Sequence, residues 1–430
     1  MEAFIPALLL IFLAVFARVQ QGSWLAPGAF FALIWSIFVF APLILAPDFY
    51  MWSGAIWWIL FVAFAVYVGS ILGSGRGFSK LIPYFSRDKT NKLKFPWIRK
   101  IIFICTLLGL GAVIITLHSR GYNIFSLFSL DSIQQMGQDF SFARYHEGYS
   151  PPLLATFFST FIYFGAILGG ILFTISLSKK DYFLSFFPFL PAFLMAVIHT
   201  TRTSILFPVV LWITSYFSMQ VLLNKGVFRF FTWKRVLLIF FLVIFIISMV
   251  MILQMFRSDR FGWSYTYQVW RHIRGGLFGG VSAFSYWLEI NWAESISPSF
   301  GSFSLAGLYD WFGISERKAG LYEIHVPISY EKSINVFTWL RGLIDDFTLT
   351  GSLLFLFLMG IFGGFSFYQV AKGKIIYLPF LLMFYGLTLW SYIVSLFNYN
   401  SILLAWFLFM FYIIVIVSKE NIEKRMFQKT

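Results

Sequence analysis

Long apolar runs alternate with short polar connections along the chain, and this pattern predicts membrane-spanning helices. A helix needs about 20 residues to cross roughly 30 Å of hydrocarbon, and eleven runs come near that length. The first, sixth and eleventh are the shorter ones, so the number of spans could differ by one. The runs are 3–17, 26–46, 51–72, 101–117, 152–177, 183–198, 203–223, 236–256, 349–370, 375–397 and 401–418. The fold predicted is an all-α polytopic membrane protein with about 11 transmembrane helices.

The composition supports lipid as the main solvent. Of the 430 residues, 59% are hydrophobic and 22% aromatic, but only 12% are charged. Soluble proteins average about 25% charged residues, so this chain cannot cover itself with a water-facing surface. Its single cysteine, Cys105, excludes an internal disulfide framework and a cysteine-based zinc site.

The basic residues predict the orientation of the spans. Glu2 stands where a secretory signal would be basic, and Arg18 follows the first run, so that run is predicted to be a span with its N-terminus outside. Residues 75–100 hold eight basic residues and one acid, Asp88, which predicts a cytoplasmic connection. Alternation from there places 21 of the 32 basic residues on the cytoplasmic side, with the C-terminus inside. Since orientation explains the net charge of +14, no nucleic-acid partner is expected.

This topology divides the chain into three parts. Residues 1–256 hold spans one to eight, residues 257–348 form a large outer loop, and residues 349–430 hold the last three spans and a cytoplasmic tail. The outer loop has six tryptophans, a composition suited to amphipathic helices in the headgroup plane and to stacking against sugar rings.

The basic residues left on the outer side are mostly arginine. Nine of these eleven are arginine, against seven of the 21 on the cytoplasmic side, and all five histidines are also outside. The guanidinium fork binds phosphate or carboxylate at two points, whereas any single arginine at a helix end can instead snorkel or cap carbonyls. The eleven are Arg120, Arg144, Arg202, Arg257, Arg260, Arg271, Arg274, Arg317, Lys318, Lys332 and Arg341.

Two polar motifs precede the end of the outer loop. Arg202 lies in a short polar patch between the sixth and seventh spans, where partial desolvation would strengthen its hold on an anion; the alternative is an ordinary connector. Arg271 and Arg274 are three residues apart and would share a helix face. The glycines between 275 and 280 could admit a phosphate, but close helix packing explains them equally well.

The last outer stretch leads from Asn335 directly into a span. On a helix, Thr338, Arg341 and Asp345 would share one face at the point where the chain enters the membrane. The alternative to a functional site is a helix before the span in which Arg341 and Asp345 form an ordinary ion pair. Asp346 directly follows Asp345, so the two carboxylates lack the Asp-x-Asp spacing of a metal-nucleotide site, and no metal is predicted.

These motifs resemble those of Wzy-type O-antigen and oligosaccharide repeat-unit polymerases. The pattern in that family is Asn-Val-Tyr-Thr, then Arg, Asp-Phe-Gly and Gly before a span, and the resemblance extends over most of the chain. This sequence departs from the pattern at Phe337, where tyrosine is usual, and at Thr348, where glycine is usual. The matching positions are Asn335, Thr338, Arg341, Asp346 and Gly351, with Arg202-Thr-Ser, Gly275-Gly and Ala283-Phe284 resembling earlier parts.

The resemblance implies a GT-C-like enzyme of the bacterial inner membrane with its active site facing the periplasm. Such an enzyme transfers a growing glycan from undecaprenyl pyrophosphate to the non-reducing end of a lipid-linked repeat unit. It needs no cofactor, and a chain-length-regulating polysaccharide co-polymerase is a further expected partner beside the lipid-linked substrates and membrane lipid.

Departure of a pyrophosphate requires neutralisation of its charge, and the acceptor hydroxyl requires a proton acceptor. The residues expected to face the pyrophosphate are Arg202, Arg257, Arg271, Arg274 and Arg341. Asn335 and Thr338 are expected to bind substrate. The candidates for the proton acceptor, which the sequence does not rank, are Asp345, Asp346, His272 and His325.

Two alternatives remain at this stage. An O-antigen ligase would share the fold and the donor but use lipid A core as acceptor. A non-enzymatic flippase for lipid-linked oligosaccharides would need ionisable residues at several mid-span positions, and these are nearly absent here. The sugars, the linkage and the oligomeric state are not encoded in any recognisable motif.

Overall fold

The computed structural model describes residues 2–75, 95, 97–147, 149–176, 178–223, 248, 263–292, 297–314, 322 and 324–427. Most of these residues are helical. The helices are α1 (Phe4–Gln21), α2 (Pro27–Leu45), α3 (Ser53–Ser74), α4 (Ile98–His118), α5 (Leu130–His146), α6 (Leu153–Ile175), α7 (Lys179–Leu184), α8 (Phe189–His199), α9 (Thr203–Leu222), α10 (Trp263–Asn291), α11 (Ala306–Trp311), α12 (Trp339–Ala371), α13 (Leu378–Trp390) and α14 (Asn400–Phe427). Three 3-10 helices, Ile124–Phe128, Ile375–Tyr377 and Leu396–Asn398, and two strands, β1 (Val326–Ser329) and β2 (Lys332–Ile334), complete the described elements.

Nine helices in the described ranges are long and apolar enough to cross a membrane. They correspond to the first seven predicted spans, the ninth and the eleventh, with α7 and α8 together forming the sixth. The chain is therefore a mostly helical, multi-pass membrane protein, as predicted. The predicted eighth span, 236–256, lies outside the described residues.

The tenth predicted span is shorter than expected. Its helix ends at Trp390, and residues 391–397 form turns and the start of a 3-10 helix instead of continuing to Phe397. Ser395 accepts a hydrogen bond from the backbone N–H of Phe397 and so begins that 3-10 helix. The carbonyl of Ser391 accepts from the N–H of Trp339 at 2.8 Å. The Ser391 hydroxyl donates back to the Thr388 carbonyl at 2.7 Å, so serine side chains bond to the backbone on both sides of the point where the helix ends.

The segment predicted as a loop of amphipathic helices also contains a β-hairpin. β1 pairs antiparallel with β2, with Val326 opposite Ile334. Val326 and Ile328 are buried while Pro327 between them is exposed, which is the period-two alternation of a half-buried strand. The purely helical prediction for this segment is therefore wrong.

The structure divides the chain into two compact units. One comprises the described residues of Met1–Arg87, Gln220–Val227 and His272–Leu403, and the other those of Asp88–Met219, Phe228–Arg271 and Leu404–Thr430. The first unit thus holds α1–α3, the hairpin, α11, α12, α13 and most of α10. The second unit holds α4–α8 and most of α9.

Paired glycines join α3 to α12 in the first unit. A Cβ added to Gly69 would lie 2.2 Å from the carbonyl oxygen of Phe357, and one added to Gly73 would lie 2.0 Å from that of Ile361. Reciprocally, a Cβ on Gly360 or Gly364 would lie 2.4 Å or 2.1 Å from carbonyl oxygens of α3. The two backbones therefore touch directly, an arrangement typical of membrane helices that carry small residues four apart.

Candidate functional site

The first turn of α12 follows directly from the hairpin. Thr338 is its N-cap residue and has an extended backbone, and the N–H of Arg341 donates to the Thr338 carbonyl at 3.1 Å. Arg341 is therefore in the first turn of α12. Asn335, in the link from β2, is half-buried.

The Arg341 guanidinium lies in a cage of aromatic rings. Its central carbon is 3.5 Å from the centre of the Tyr322 ring, 3.9 Å from that of Phe337 and 4.9 Å from that of Trp287. The rings come from α10, from the segment before β1 and from the link into α12. The whole residue is only 6% exposed, so cation–π attraction acts on a desolvated charge and fixes the plane of the fork.

Asp345 lies one turn after Arg341 and shares its surroundings. Its Oδ2 is 3.4 Å from the Nε of Arg341 and accepts a hydrogen bond from the Tyr322 hydroxyl at 3.1 Å. Burial, assisted by the negative charge of Asp345, raises the pKa of Tyr322 well above its ordinary value. The phenol therefore stays protonated and acts as a donor across the ordinary pH range.

Asp346 points elsewhere and is fully buried. Its carboxylate accepts hydrogen bonds from the Ser299 hydroxyl at 2.5 Å, the Phe303 N–H at 3.0 Å and the Ser304 N–H at 2.6 Å. It holds the loop 299–304 against α12. Because adjacent helical residues point about 100° apart, only Asp345 faces Arg341, and the structure separates the roles of the two carboxylates.

Several buried polar atoms of Ser304 and of the first turn of α12 with its N-cap have no hydrogen-bond partner in the described part of the chain. They are Nε and Nη1 of Arg341, Oγ1 of Thr338, Oγ of Ser304 and Nε1 of Trp339. A Cβ on Gly342 would meet Ser304 Oγ at 3.5 Å and the Tyr322 hydroxyl at 3.6 Å, so the Ser304 hydroxyl and the Tyr322 hydroxyl border one spot. Unsatisfied buried donors and acceptors cost about 1–3 kcal/mol each, and they are the groups that a polar ligand would satisfy.

The two residues that depart from the polymerase motifs the chain resembles, Phe337 and Thr348, have different structural roles. Phe337, where tyrosine is usual, provides one ring of the cage. Thr348, where glycine is usual, has φ 65° and ψ 178° and kinks α12. That backbone conformation is nearly exclusive to glycine, so Thr348 is strained at a position where the pattern calls for glycine.

Arg274 is engaged away from this cage. It forms an ion pair with Asp48 at 2.6 Å and lies over the Phe49 ring at 5.0 Å. Thirteen residues of α10 separate it from Trp287, which corresponds to about 20 Å along a helix. The structure therefore does not bring Arg274 to Arg341.

The Asp48 region lies against α10 and the hairpin through further contacts. Tyr50 N–H donates to the Ile328 carbonyl at 2.7 Å, and the Ser282 hydroxyl donates to the Tyr50 carbonyl at 2.7 Å. A Cβ on Gly279 would lie 2.6 Å from the side chain of Ile334, so close packing explains this glycine. The contacts join the α2–α3 connection to a segment that the predicted alternation puts on the same side.

The remaining predicted site residues are more dispersed. Arg202 belongs to the second unit, where its carbonyl accepts from the Leu206 N–H at 3.0 Å at the start of α9. Arg271 is half-buried on α10. His325 is exposed just before β1. Arg257 and the His272 side chain lie outside the described residues.

Sequence reasoning missed Trp287, Tyr322 and Ser304. The aromatic richness of the outer segment was visible, but nothing in the local sequence distinguishes Tyr322 from its neighbours. Within the described ranges there is no group of three or more histidine, cysteine, aspartate or glutamate side chains placed to hold a metal ion.

Comparison with known proteins gives no relative: no family model, no curated protein and no solved structure matches the chain. The resemblance to Wzy-type polymerases therefore rests on the motifs and on the arrangement of spans.

Proposed function

We propose that this protein is a membrane glycosyltransferase that polymerises oligosaccharide repeat units linked to undecaprenyl pyrophosphate. It would transfer the growing glycan to the non-reducing end of a lipid-linked repeat unit, at the periplasmic face of a bacterial inner membrane. The observation that carries this proposal is the buried Arg341, caged by three rings, paired with Asp345 and left with unsatisfied donors.

The chemistry requires a bound anion and a nearby base. The acceptor hydroxyl oxygen forms a bond to the anomeric carbon of the donor, while the bond from that carbon to the phosphate oxygen breaks. The electron pair of that bond leaves with the pyrophosphate, whose charge Arg341 stabilises through its fork. The hydroxyl proton passes to a carboxylate.

Asp345 is the proposed proton acceptor. It is the carboxylate that contacts Arg341, whereas the oxygens of Asp346 are occupied by three donors of the 299–304 loop. Tyr322 is a positioning residue because its ring packs on the guanidinium and its hydroxyl holds Asp345. Side chains locked in this way keep a catalytic geometry within small tolerances.

The partners follow from this reaction. Donor and acceptor are both lipid-linked oligosaccharides that reach the site from the membrane, and a co-polymerase that regulates chain length is a further proposed partner. No cofactor takes part in the proposed step, in which arginine supplies the charge that a metal would otherwise supply.

The proposal is tested with purified protein in lipid nanodiscs and a lipid-linked repeat unit as substrate. The wild-type protein should yield a ladder of polymers on a gel, in excess EDTA as well as without it. Arg341→Lys keeps the charge but loses the fork, and the loss of one or two charge-assisted hydrogen bonds corresponds to roughly 30-fold to 1,000-fold in rate. Arg99→Lys is the matched control, since Arg99 is largely exposed beside Asp181.

Four outcomes would contradict the proposal. Normal polymer from Arg341→Lys would remove the proposed role of this arginine. Activity that is lost in EDTA and restored by magnesium or manganese would show that a metal ion, and not arginine, neutralises the departing pyrophosphate. In the source bacterium, deletion should leave surface glycan of one repeat unit; accumulated lipid-linked polymer would instead indicate a ligase, and absence of glycan a flippase.

A further inference from the structure

The connection between α4 and α6 exposes large apolar side chains outside the spans. In the 3-10 helix Ile124–Phe128, Phe125 is 75% exposed and Phe128 is 84% exposed. Leu130, at the start of α5, is 70% exposed. Clustered exposed apolar residues of this size mark a surface that binds something apolar.

This surface is held in a fixed orientation. Arg120, just after α4, binds Asp139 of α5 through two nitrogens at 2.6 and 3.1 Å and Glu147 at 3.0 Å. Leu127 and Ile133 pack on a buried cluster formed by α4, α5 and α8, whose members are Val113, Leu117, Met136, Phe140 and Ile198. The inward-facing residues of the segment are therefore anchored, and Phe125 and Phe128 face outward because of it.

The exposed surface is continuous along the chain with the apolar surface of two spans. α4 carries exposed Ile114 and ends at His118, six residues before the 3-10 helix. α6 begins with Leu153 and Leu154, which are 86% and 53% exposed. The outward side chains of such spans face lipid, so the segment between them starts and finishes at the membrane boundary.

The backbone of this segment also suits an interface with little water. Asn123 Oδ1 accepts from the Ser126 N–H at 3.1 Å, and Ser129 Oγ accepts from the Ser132 N–H at 3.5 Å, so side chains cap both the 3-10 helix and α5. Satisfying these N–H groups internally lowers the cost of moving the segment out of water.

We propose that Phe125, Phe128 and Leu130 form a membrane-interface anchor that inserts into the lipid leaflet in which α4 ends and α6 begins. Its ligand is the bilayer surface. The anchor holds the α5 helix, whose other face packs on α4 and α8, at the level of the headgroups. This inference is independent of the enzymatic proposal.

The test measures how deep single spin labels lie in the bilayer. Phe125→Cys and Phe128→Cys are made in a Cys105→Ser background, labelled with a nitroxide and reconstituted into liposomes of phosphatidylethanolamine and phosphatidylglycerol. Ile114→Cys is the lipid-facing reference and Gln135→Cys, exposed on α5, is the water-facing control. Collision with oxygen is compared with collision with a water-soluble nickel chelate.

We expect the ratio of oxygen to nickel collisions at positions 125 and 128 to approach that at 114 and to exceed that at 135 several-fold. A ratio equal to that at 135 would overturn the proposal. Labels that are immobile and shielded from both reagents would also overturn it, because a protein surface would then cover the patch. If either phenylalanine variant fails to fold, Leu130→Cys gives the same measurement.

Discussion

The two halves of α12, separated by the kink at Thr348, differ in what they bury: one buries backbone against backbone, and the other buries polar and charged side chains. Residues 349–371 are apolar and pack backbone to backbone on α3 through Gly360 and Gly364. In residues 339–347, Arg341 and Asp346 are buried, and so is Thr338 just before them. Two nitrogens of Arg341 and the Thr338 hydroxyl have no hydrogen-bond partner in the described part of the chain. One half is optimised for stability, whereas the other carries groups that cost stability, as functional sites commonly do.

The largest effect is expected at the packing half. Gly364→Val would place a Cβ 2.1 Å from the Ser70 carbonyl oxygen, and backbone atoms cannot move aside as a flexible side chain would. We expect a loss of more than about 4 kcal/mol and little monodisperse protein in size-exclusion chromatography. Leu358→Val, at an exposed position of the same helix, is the control. Normal yield and melting temperature for Gly364→Val would show that α3 and α12 do not pack this closely.

The two neighbouring carboxylates should separate stability from activity. Asp346→Asn keeps one acceptor oxygen but replaces the other by an amide NH2, so at least one of the three hydrogen bonds, worth about 1.5–3 kcal/mol, is lost, and thermal unfolding should show a loss of about 3 kcal/mol. Asp345→Asn leaves the buried Arg341 without its ion-pair partner, so it should also lose some stability, but it should form almost no polymer, whereas Asp346→Asn should still form polymer. If Asp345→Asn is active and Asp346→Asn is stable but inactive, the proposed base is the wrong carboxylate.

A smaller effect is expected at Tyr322, because the ring and the hydroxyl act separately. Tyr322→Phe keeps the ring over Arg341 but removes the donor to Asp345. Loss of about 1 kcal/mol corresponds to roughly 5-fold in rate. Since the lost donor stabilised the ionised carboxylate, the acidic limb of the pH–rate profile should move to higher pH. An unchanged pH–rate profile with a uniformly lower rate would show that Tyr322 acts only by packing on Arg341 and does not affect the pKa of Asp345.

The smallest change concerns the kink that separates the halves. Thr348→Gly relieves backbone strain of about 1–3 kcal/mol and costs about 1 kcal/mol in chain entropy. We therefore expect a gain of about 1 kcal/mol in thermal unfolding, with polymerisation unchanged. Thr350→Gly, two residues later in regular helix, should destabilise instead. Destabilisation by both substitutions would mean that Thr348 does not adopt a positive φ.

The sequence predicted much of this architecture because spans follow from local chemistry. About 20 apolar residues must form a helix in lipid, since no water is present to bond the backbone, and nine described helices fall on predicted runs. The spacing of Arg341 and Asp345, four residues apart, also predicts that both lie on one face where the segment is helical, whereas the start of that helix at Trp339 came only from the structure. The glycines of α3 and α12 were also readable as pairs four residues apart, but were overlooked.

Only the tertiary structure decided which residues meet. Phe337 is only four residues from Arg341, but Trp287 and Tyr322 are far from it in sequence, and their contacts with Arg341 depend on how α10 and the segment before the hairpin pack against α12. Arg274 is paired with Asp48, and Asp346 is bound to the 299–304 loop, although in the sequence Arg274 was as good a candidate as Arg341 and Asp346 as good a candidate as Asp345. Helices and spans are encoded by contacts within a few turns, whereas a site is encoded by long-range packing that no local pattern specifies.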